Sequence, residues 1–399
     1  MLTDPGQQDR LNRGIPVVPV FDGYRAFAIF GIITMHVIGN VVLPLSVSDE
    51  YSRFITATFG QLIDVLFIVS GFVVFLPTAV RGHFGSVPRY AIRRAARLLP
   101  AYYLILAITV ISLSLTPSLF EVLVHVVGLQ TAMTYFQDAN SPGFNVLGPV
   151  WTLSVEIGFY IVLPFVAMAF YRHPRIGLVI AAIISVGWVK LGGHADGILH
   201  LVGVDISPTM DNRFSRAVGT QFPFWAFSFA LGMFGAKAYV YVTENFKPDV
   251  IRRRAEQVQL IGLAGVALLT VYIFFSLPDV PSLNDAELVR YSPLIMIGYS
   301  ASLATLMVAS AFGNERVQWF FGNRGIRWLA EISYGAYLSH ALFIWVGYWY
   351  LGWGARNTFG NTLLFLTEIL VASAIYGYLS ARFFEQPIRR WARKFGRRT

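Results

Sequence analysis

The stretch FDGYRAFAIFGIITMH, Phe21 to His36, decides the fold. Most of it reads as the opening turns of a membrane helix. Yet it carries Asp22 and Arg25 near its start and His36 far inside. At 100° per residue, the step from Arg25 to His36 is about 20° more than three full turns. The two side chains therefore share one helix face, about 16 Å apart along the axis. Charged and titratable groups inside a membrane helix cost free energy in lipid, so they are expected to face the interior of a bundle.

The rest of the chain supplies that bundle. Of 399 residues, 55% are hydrophobic and 13% charged, against about 25% charged in soluble domains. The mean hydropathy is +0.58. Apolar runs of membrane-crossing length are expected at roughly 24–44, 55–79, 98–116, 148–170, 176–192, 221–242, 257–277, 293–312, 331–351 and 361–383. The fold class is thus an all-α, polytopic transmembrane helical bundle of about ten spans. The apolar stretch 119–136 contains Glu121 and His125 and reads as an interfacial or re-entrant helix.

The net charge of +9 does not point to nucleic acid, because the basic residues sit in the short gaps between apolar runs and no binding motif accompanies them. With the N-terminus inside and ten alternating spans, 25 of the 31 Lys and Arg fall on the cytoplasmic side, which predicts that both termini are cytoplasmic. An eleventh span at 119–136 would export the basic groups at 237–254 and 382–399. Residues 1–20 have no apolar leader core, so the first membrane helix is expected to act as the targeting signal. They read as a cytoplasmic segment, 21–385 as one membrane domain, and 386–399 as a basic cytoplasmic tail. The chain has no cysteine, and no HExxH or carboxylate cluster of ligand spacing appears, so no metal is expected.

Several polar groups recur at membrane depth. Asp64 lies about 13 Å and Glu156 about 12 Å from the outer ends of their spans, and His36 about 18 Å from the inner end of its own. One imidazole and two carboxylates thus share a layer. A carboxylate beside His36 would fix its tautomer, as in a catalytic pair. The alternative is two structural carboxylates bonded to backbone or to Ser70, Thr152 or Ser154. Arg93, Arg94 and Arg97 form a basic helical face, suited either to anionic lipid headgroups or to a phosphate clamp. Arg25 reads as a snorkelling rim anchor or as part of that clamp. His340 in EISYGAYLSHALFIW reads as a helix-packing group or a site residue.

Taken together, these stretches resemble the acyltransferase-3 family of integral membrane O-acyltransferases, over nearly the whole chain. FDGYRAFAIFGIITMH is similar to the opening L-D-G-x-R-x-x-A-x-x-x-V-x-x-x-H, and DVLFIVSGFVV to D-x-F-F-x-x-S-G-F. RRAARLLPAYY resembles R-R-x-x-R-x-x-P-x-Y, and VWTLSVEIGFYIVLP resembles W-S-L-x-x-E-x-x-F-Y-x-x-x-P. ISYGAYLSHALFI and RFFEQPIRRW resemble the closing S-Y-x-x-Y-L-x-H and F-E-x-P elements. Phe21, Thr152 and Ile157-Gly158 depart from the pattern but leave the ionisable groups in place. The likeness is to stand-alone members, without an esterase-like periplasmic domain.

The resemblance implies an enzyme of the bacterial inner membrane. It would move an acyl group, acetyl above all, from cytoplasmic acyl-CoA to a hydroxyl of a surface or lipid-linked glycan or another sugar-bearing acceptor. His36 is then the expected general base, with Glu156 or Asp64 orienting it or the acceptor. Arg25, Arg93, Arg94 and Arg97 are expected to hold the CoA phosphates. Trp151, Ser70, Tyr337 and His340, all inside matched motifs, are the expected substrate contacts. Acyl-CoA is a donor substrate, and no tightly bound cofactor is implied. From composition alone, a secondary transporter with a buried His, Asp and Glu proton relay fits as well, although inverted repeats and unwound helices are not evident.

Overall fold

The computed structural model describes residues 14–41, 49–131, 148–192, 194–201, 217–277, 292–313, 315–352 and 359–395, with the isolated positions 203, 205 and 207. Every regular element among them is helical. The long helices are α1 (Pro19–Val41), α3 (Leu62–Arg81), α4 (Val87–Ser112), α6 (Trp151–Arg172), α7 (Pro174–Gly192), α9 (Phe222–Asn245), α10 (Pro248–Ser276), α13 (Arg324–Trp349) and α14 (Phe359–Ser380). The shorter ones are α2 (Asp49–Phe59), α5 (Leu119–Val126), α8 (Ala195–Leu201), α11 (Ser300–Ser310), α12 (Glu315–Gly322) and α15 (Gln386–Phe395). A π turn at Leu294–Tyr299 leads into α11, and another at Ala381–Glu385 joins α14 to α15.

Local chemistry sets the ends. Proline occupies the first turn of α4, α9 and α10, where its fixed φ suits a helix start and its missing N–H has no partner to lose. Helix α3 stops at Gly82, whose φ of 75° closes it with an N–H bond to the Thr78 carbonyl.

Among the described residues each of the ten expected spans overlaps helix, with 55–79 falling on α2 and α3 and 293–312 on a π turn and α11, while 42–44 lie outside the described residues. Among the described residues, seven helical segments are long and apolar enough to cross a membrane, or eight if Leu294–Ser310 and Glu315–Gly322, bent by 100°, are counted together. Helices α9 and α13 have 24 and 26 residues, enough to cross, but are not among those segments. Both bury much of their length in the bundle, where neighbours satisfy polar side chains such as Ser228 and His340, so lipid does not demand uniform hydrophobicity of them. Helix α4 begins at Val87, ahead of the apolar run expected from residue 98, so the arginine-bearing segment forms its first turns.

Within its described part, stretch 119–136 is α-helical only over the 8 residues of α5, while 132–136 lie outside the described residues. About 12 Å of helix cannot span a bilayer. Glu121 is explained by capping: its carboxylate accepts from the Ser118 N–H at 2.6 Å, while its own N–H donates to Ser118 Oγ at 3.3 Å. His125 reaches inward to the hydroxyl of buried Tyr102, 2.9 Å away, which ties α5 to the side of α4.

The core is organised by α3 against α9. A Cβ on Gly71 would overlap the Phe229 carbonyl oxygen, and one on Gly232 would overlap that of Ile68. The two backbones therefore touch, and an aromatic layer assembles beside the crossing. Phe159 and Phe229 stack at 4.1 Å, and Phe67 packs 4.7 Å from Trp225. A Gly232→Ala variant is expected to destabilise the bundle by about 1–3 kcal/mol through overpacking. Gly187→Ala, where a Cβ meets nothing within 4 Å, should not. Thermal midpoints of the two variants in detergent check this.

Candidate active site

A cavity of about 480 Å³ runs along α13, lined there by Arg324, Arg327, Glu331, Tyr334, Tyr337 and Leu338. From Arg324 to Leu338 is about 21 Å of helix axis, so the cavity is a shaft. At one end, Asp22 and Arg25 of α1, Arg97 of α4, and Glu385 and Arg389 after α14 join the first turns of α13. At the other lie Leu66, Phe67 and Ser70 of α3 and Thr152, Leu153 and Glu156 of α6. The helix ends rich in arginine thus gather at one mouth, with five arginines against four carboxylates along the shaft. The Arg25 guanidinium is fixed there by a 2.9 Å bond to the Ala330 carbonyl and a 3.4 Å ion pair with Asp22.

The expected arginine clamp divides. Arg25 and Arg97 line the shaft, whereas Arg93 and Arg94 do not. Arg94 lies over the rings of Tyr90 and Tyr160, 5.7 and 5.5 Å from their centroids, and Arg93, a turn nearer the helix start than Arg97, is exposed. The shaft is lined instead by Arg324, Arg327 and Arg389, which belong to the cytoplasmic excess of positive charge expected from the sequence. The signal for them was present: Arg324, Arg327, Glu331, Tyr334 and Leu338 recur at the three- and four-residue steps of one helix face.

The three polar groups of the expected layer go to different partners. Glu156 faces the shaft, where Ser70 Oγ donates to it at 3.0 Å and the Tyr160 hydroxyl makes a second, shorter bond. Arg25 and Arg97 lie within electrostatic range of it. Asp64 turns to the opposite side of α3 and accepts from Ser228 Oγ at 3.0 Å and Ser300 Oγ at 2.6 Å. It pins α3, α9 and α11 together and is not among the shaft's lining residues. The side chains expected to contact substrate divide in the same way. Ser70 and Tyr337 line the shaft, while Trp151 stacks on Trp225 at 5.9 Å behind Phe67.

His36 meets His340. Its Nδ1 is 2.9 Å from His340 Nε2, and the rings are nearly parallel, with centroids 5.0 Å apart. His340 is fully buried, and its Nδ1 faces the Tyr337 carbonyl one turn back. A carbonyl oxygen only accepts, so His340 Nδ1 carries a proton. With both rings neutral, His340 Nε2 is an acceptor, His36 Nδ1 donates to it, and His36 Nε2 keeps its lone pair. Where a carboxylate is expected beside His36, the structure places an imidazole backed by a carbonyl. The pair lies just past the deep end of the shaft, with the Tyr337 ring 5.3 Å from that of His340. The Tyr337 hydroxyl donates to the Pro149 carbonyl at 2.5 Å and lies 2.9 Å from Thr152 Oγ1. No group of three or more His, Cys, Asp or Glu that could hold a metal ion occurs among the described residues.

Known proteins share this sequence pattern. A family model described as an acyltransferase domain matches residues 18–382. The chain is 25% identical to a peptidoglycan O-acetyltransferase, OatA, of Listeria monocytogenes, over 94% of this chain and 56% of that protein. It is 24% identical to YrhL of Bacillus subtilis, named a putative peptidoglycan O-acetyltransferase, over 96% of this chain and 56% of that protein. It is 23% identical to nodulation protein 10 of Rhizobium leguminosarum, over 72% and 75% of the two chains. The chain therefore spans little more than half the length of the first two relatives. No solved structure matches it. With the family model covering all but the two ends, and with helices suited to several membrane crossings, the chain belongs to the acyltransferase-3 family of multi-pass membrane proteins.

Proposed function

We propose that the protein is an O-acyltransferase of the cell's inner membrane that moves an acetyl group from cytoplasmic acyl-CoA to a sugar hydroxyl presented from outside. The observation that carries this reading is the shaft. Five arginines gather at the mouth, and the His36–His340 pair lies just past the deep end. Arginine forks match phosphate oxygens, so Arg25, Arg97, Arg324, Arg327 and Arg389 suit the nucleotide and pyrophosphate of CoA. The acyl-bearing arm then runs up the shaft between α3 and α13 and brings the thioester beside Tyr337. The positive-inside distribution supports a mouth, and both termini, on the cytoplasmic side of about ten spans.

The chemistry follows from the tautomers. A sugar hydroxyl is a weak nucleophile until its proton is removed. His36 Nε2 takes that proton as the hydroxyl oxygen attacks the thioester carbonyl. The new C–O bond forms, the C–S bond breaks, and the thiolate of CoA leaves and is neutralised by the proton that His36 received. His340 steadies the imidazolium of His36 by keeping its Nδ1–H in place. Glu156, bonded to Ser70 and Tyr160, holds polar groups along the arm. The relatives' names direct the choice of acceptor toward the glycan hydroxyls of peptidoglycan.

Purified protein in liposomes, supplied with radiolabelled acetyl-CoA and a muropeptide or oligosaccharide acceptor, tests the reading. His36→Ala should lower transfer by about 10²–10⁴-fold, the usual worth of a general base, with acetyl-CoA binding retained. Arg97→Ala should raise the KM for acetyl-CoA about tenfold or more, as the loss of a charged hydrogen bond does, and leave kcat nearly unchanged. Wild-type protein that neither binds acetyl-CoA nor transfers acetyl would overturn the enzyme reading.

A further inference from the structure

The deep end of the shaft is built differently from its mouth. Beyond Ser70 and Glu156, which lie about a turn nearer the mouth on α3 and α6, its last lining residues are Leu66, Phe67, Leu153, Tyr337 and Leu338 with Thr152, so its tip is mostly apolar where the mouth is charged. Two of these rings are fixed from behind. Phe67, 2% exposed, packs against Trp225 at 4.7 Å and Phe229 at 4.9 Å, with Trp151 at 6.4 Å. Trp225 is held in turn by its Nε1–H bond to the Gly219 carbonyl at 2.8 Å and by its stack on Trp151. Tyr337 is tied by its hydroxyl to the turn at Pro149 and to Thr152. A side chain on a surface can rotate away from a longer ligand. One wedged into a layer of interlocked aromatic rings cannot do so without repacking the core.

From this geometry we infer that Phe67, backed by Trp225 and Phe229, is the stop that sets acyl-chain length: it admits an acetyl group beside Tyr337 and rejects longer chains. The inference rests on the donor reading above and adds to it the residue that selects among acyl-CoA thioesters. The lining chemistry agrees with the assignment. Methyl and methylene groups lose nothing against Leu66, Leu153 and Leu338, so the limit comes from the wall and not from polarity.

The test compares kcat/KM for octanoyl-CoA and acetyl-CoA in wild type, Phe67→Ala and Phe67→Leu, with Phe165→Ala as control. Phe165 is 81% exposed on the outer face of α6 and should leave the ratio alone. Phe67→Ala should raise the octanoyl-to-acetyl ratio by about tenfold or more, since a single methylene in a fitted pocket discriminates by 10–200-fold. Phe67→Leu, the gentler change should the alanine variant fail to fold, should move the ratio the same way by a smaller factor. A folded Phe67 variant with an unchanged ratio, or a wild type that uses octanoyl-CoA as well as acetyl-CoA, overturns the inference and leaves the enzyme reading standing. A wild type that transfers neither group overturns both.

Discussion

Helices α3 and α9 meet at Gly71 and Gly232, where neither residue has a Cβ and each approaches the other helix's carbonyl. Most of the interior follows from that contact. With backbones touching, the side chains flanking the glycines must leave the crossing in fixed directions. Ser70 leaves toward α6 and meets Glu156. Asp64, about 10 Å further along the axis, leaves toward Ser228 and Ser300. Phe67 enters the aromatic layer with Trp225 and Phe229. One helix thereby supplies a wall of the shaft on one side and a polar tie on the other.

Around this crossing, the ionisable groups in and beside the site survive at membrane depth through their partners. Asp64 has two serine hydroxyls, Glu156 a serine and a tyrosine, Arg25 a carbonyl and a carboxylate, and His340 a carbonyl and a second histidine. In water such bonds would add little. In a bundle surrounded by lipid, the cost of leaving any of them unmade is what keeps the helices in register. The same pairing gives the site its order. The excess of arginine stays at the mouth, where solvent reaches it. Farther in, charge gives way to hydroxyls and imidazoles whose protons have assigned places.

The two histidines show what pairing adds to position. His36 alone, on one face with Arg25, is a deep imidazole of unspecified tautomer. His340 alone, in a helix that also holds Ser333 and Ser339, is a packing residue. Only their meeting, with the Tyr337 carbonyl behind them, fixes which nitrogen of His36 carries the proton in the neutral ring. Neither carboxylate expected beside His36 was needed for that.

Much was legible in the sequence, because lipid imposes rules that act along the chain. Hydropathy and helical length marked every long helix, Glu121 and His125 marked 119–136 as something other than a span, and the asymmetry of Lys and Arg grouped the helix ends. The 100° period put Arg25 and His36 on one face, and the run of motifs named the family. What remained hidden depends on which helix faces which. Spacing placed Asp64, Glu156 and His36 at similar depths, yet depth is a coordinate along each axis, and the azimuth that sends Asp64 away from the shaft is set by packing against α9 and α11. That Arg324, Arg327 and Arg389 line the shaft while Arg93 and Arg94 do not, and that His340 meets His36, is decided in the same way. The sequence by itself determined the helices, their polar faces and the family. Tertiary structure alone decided the pairings, because rotation of a helix about its axis is fixed by neighbours distant in the chain.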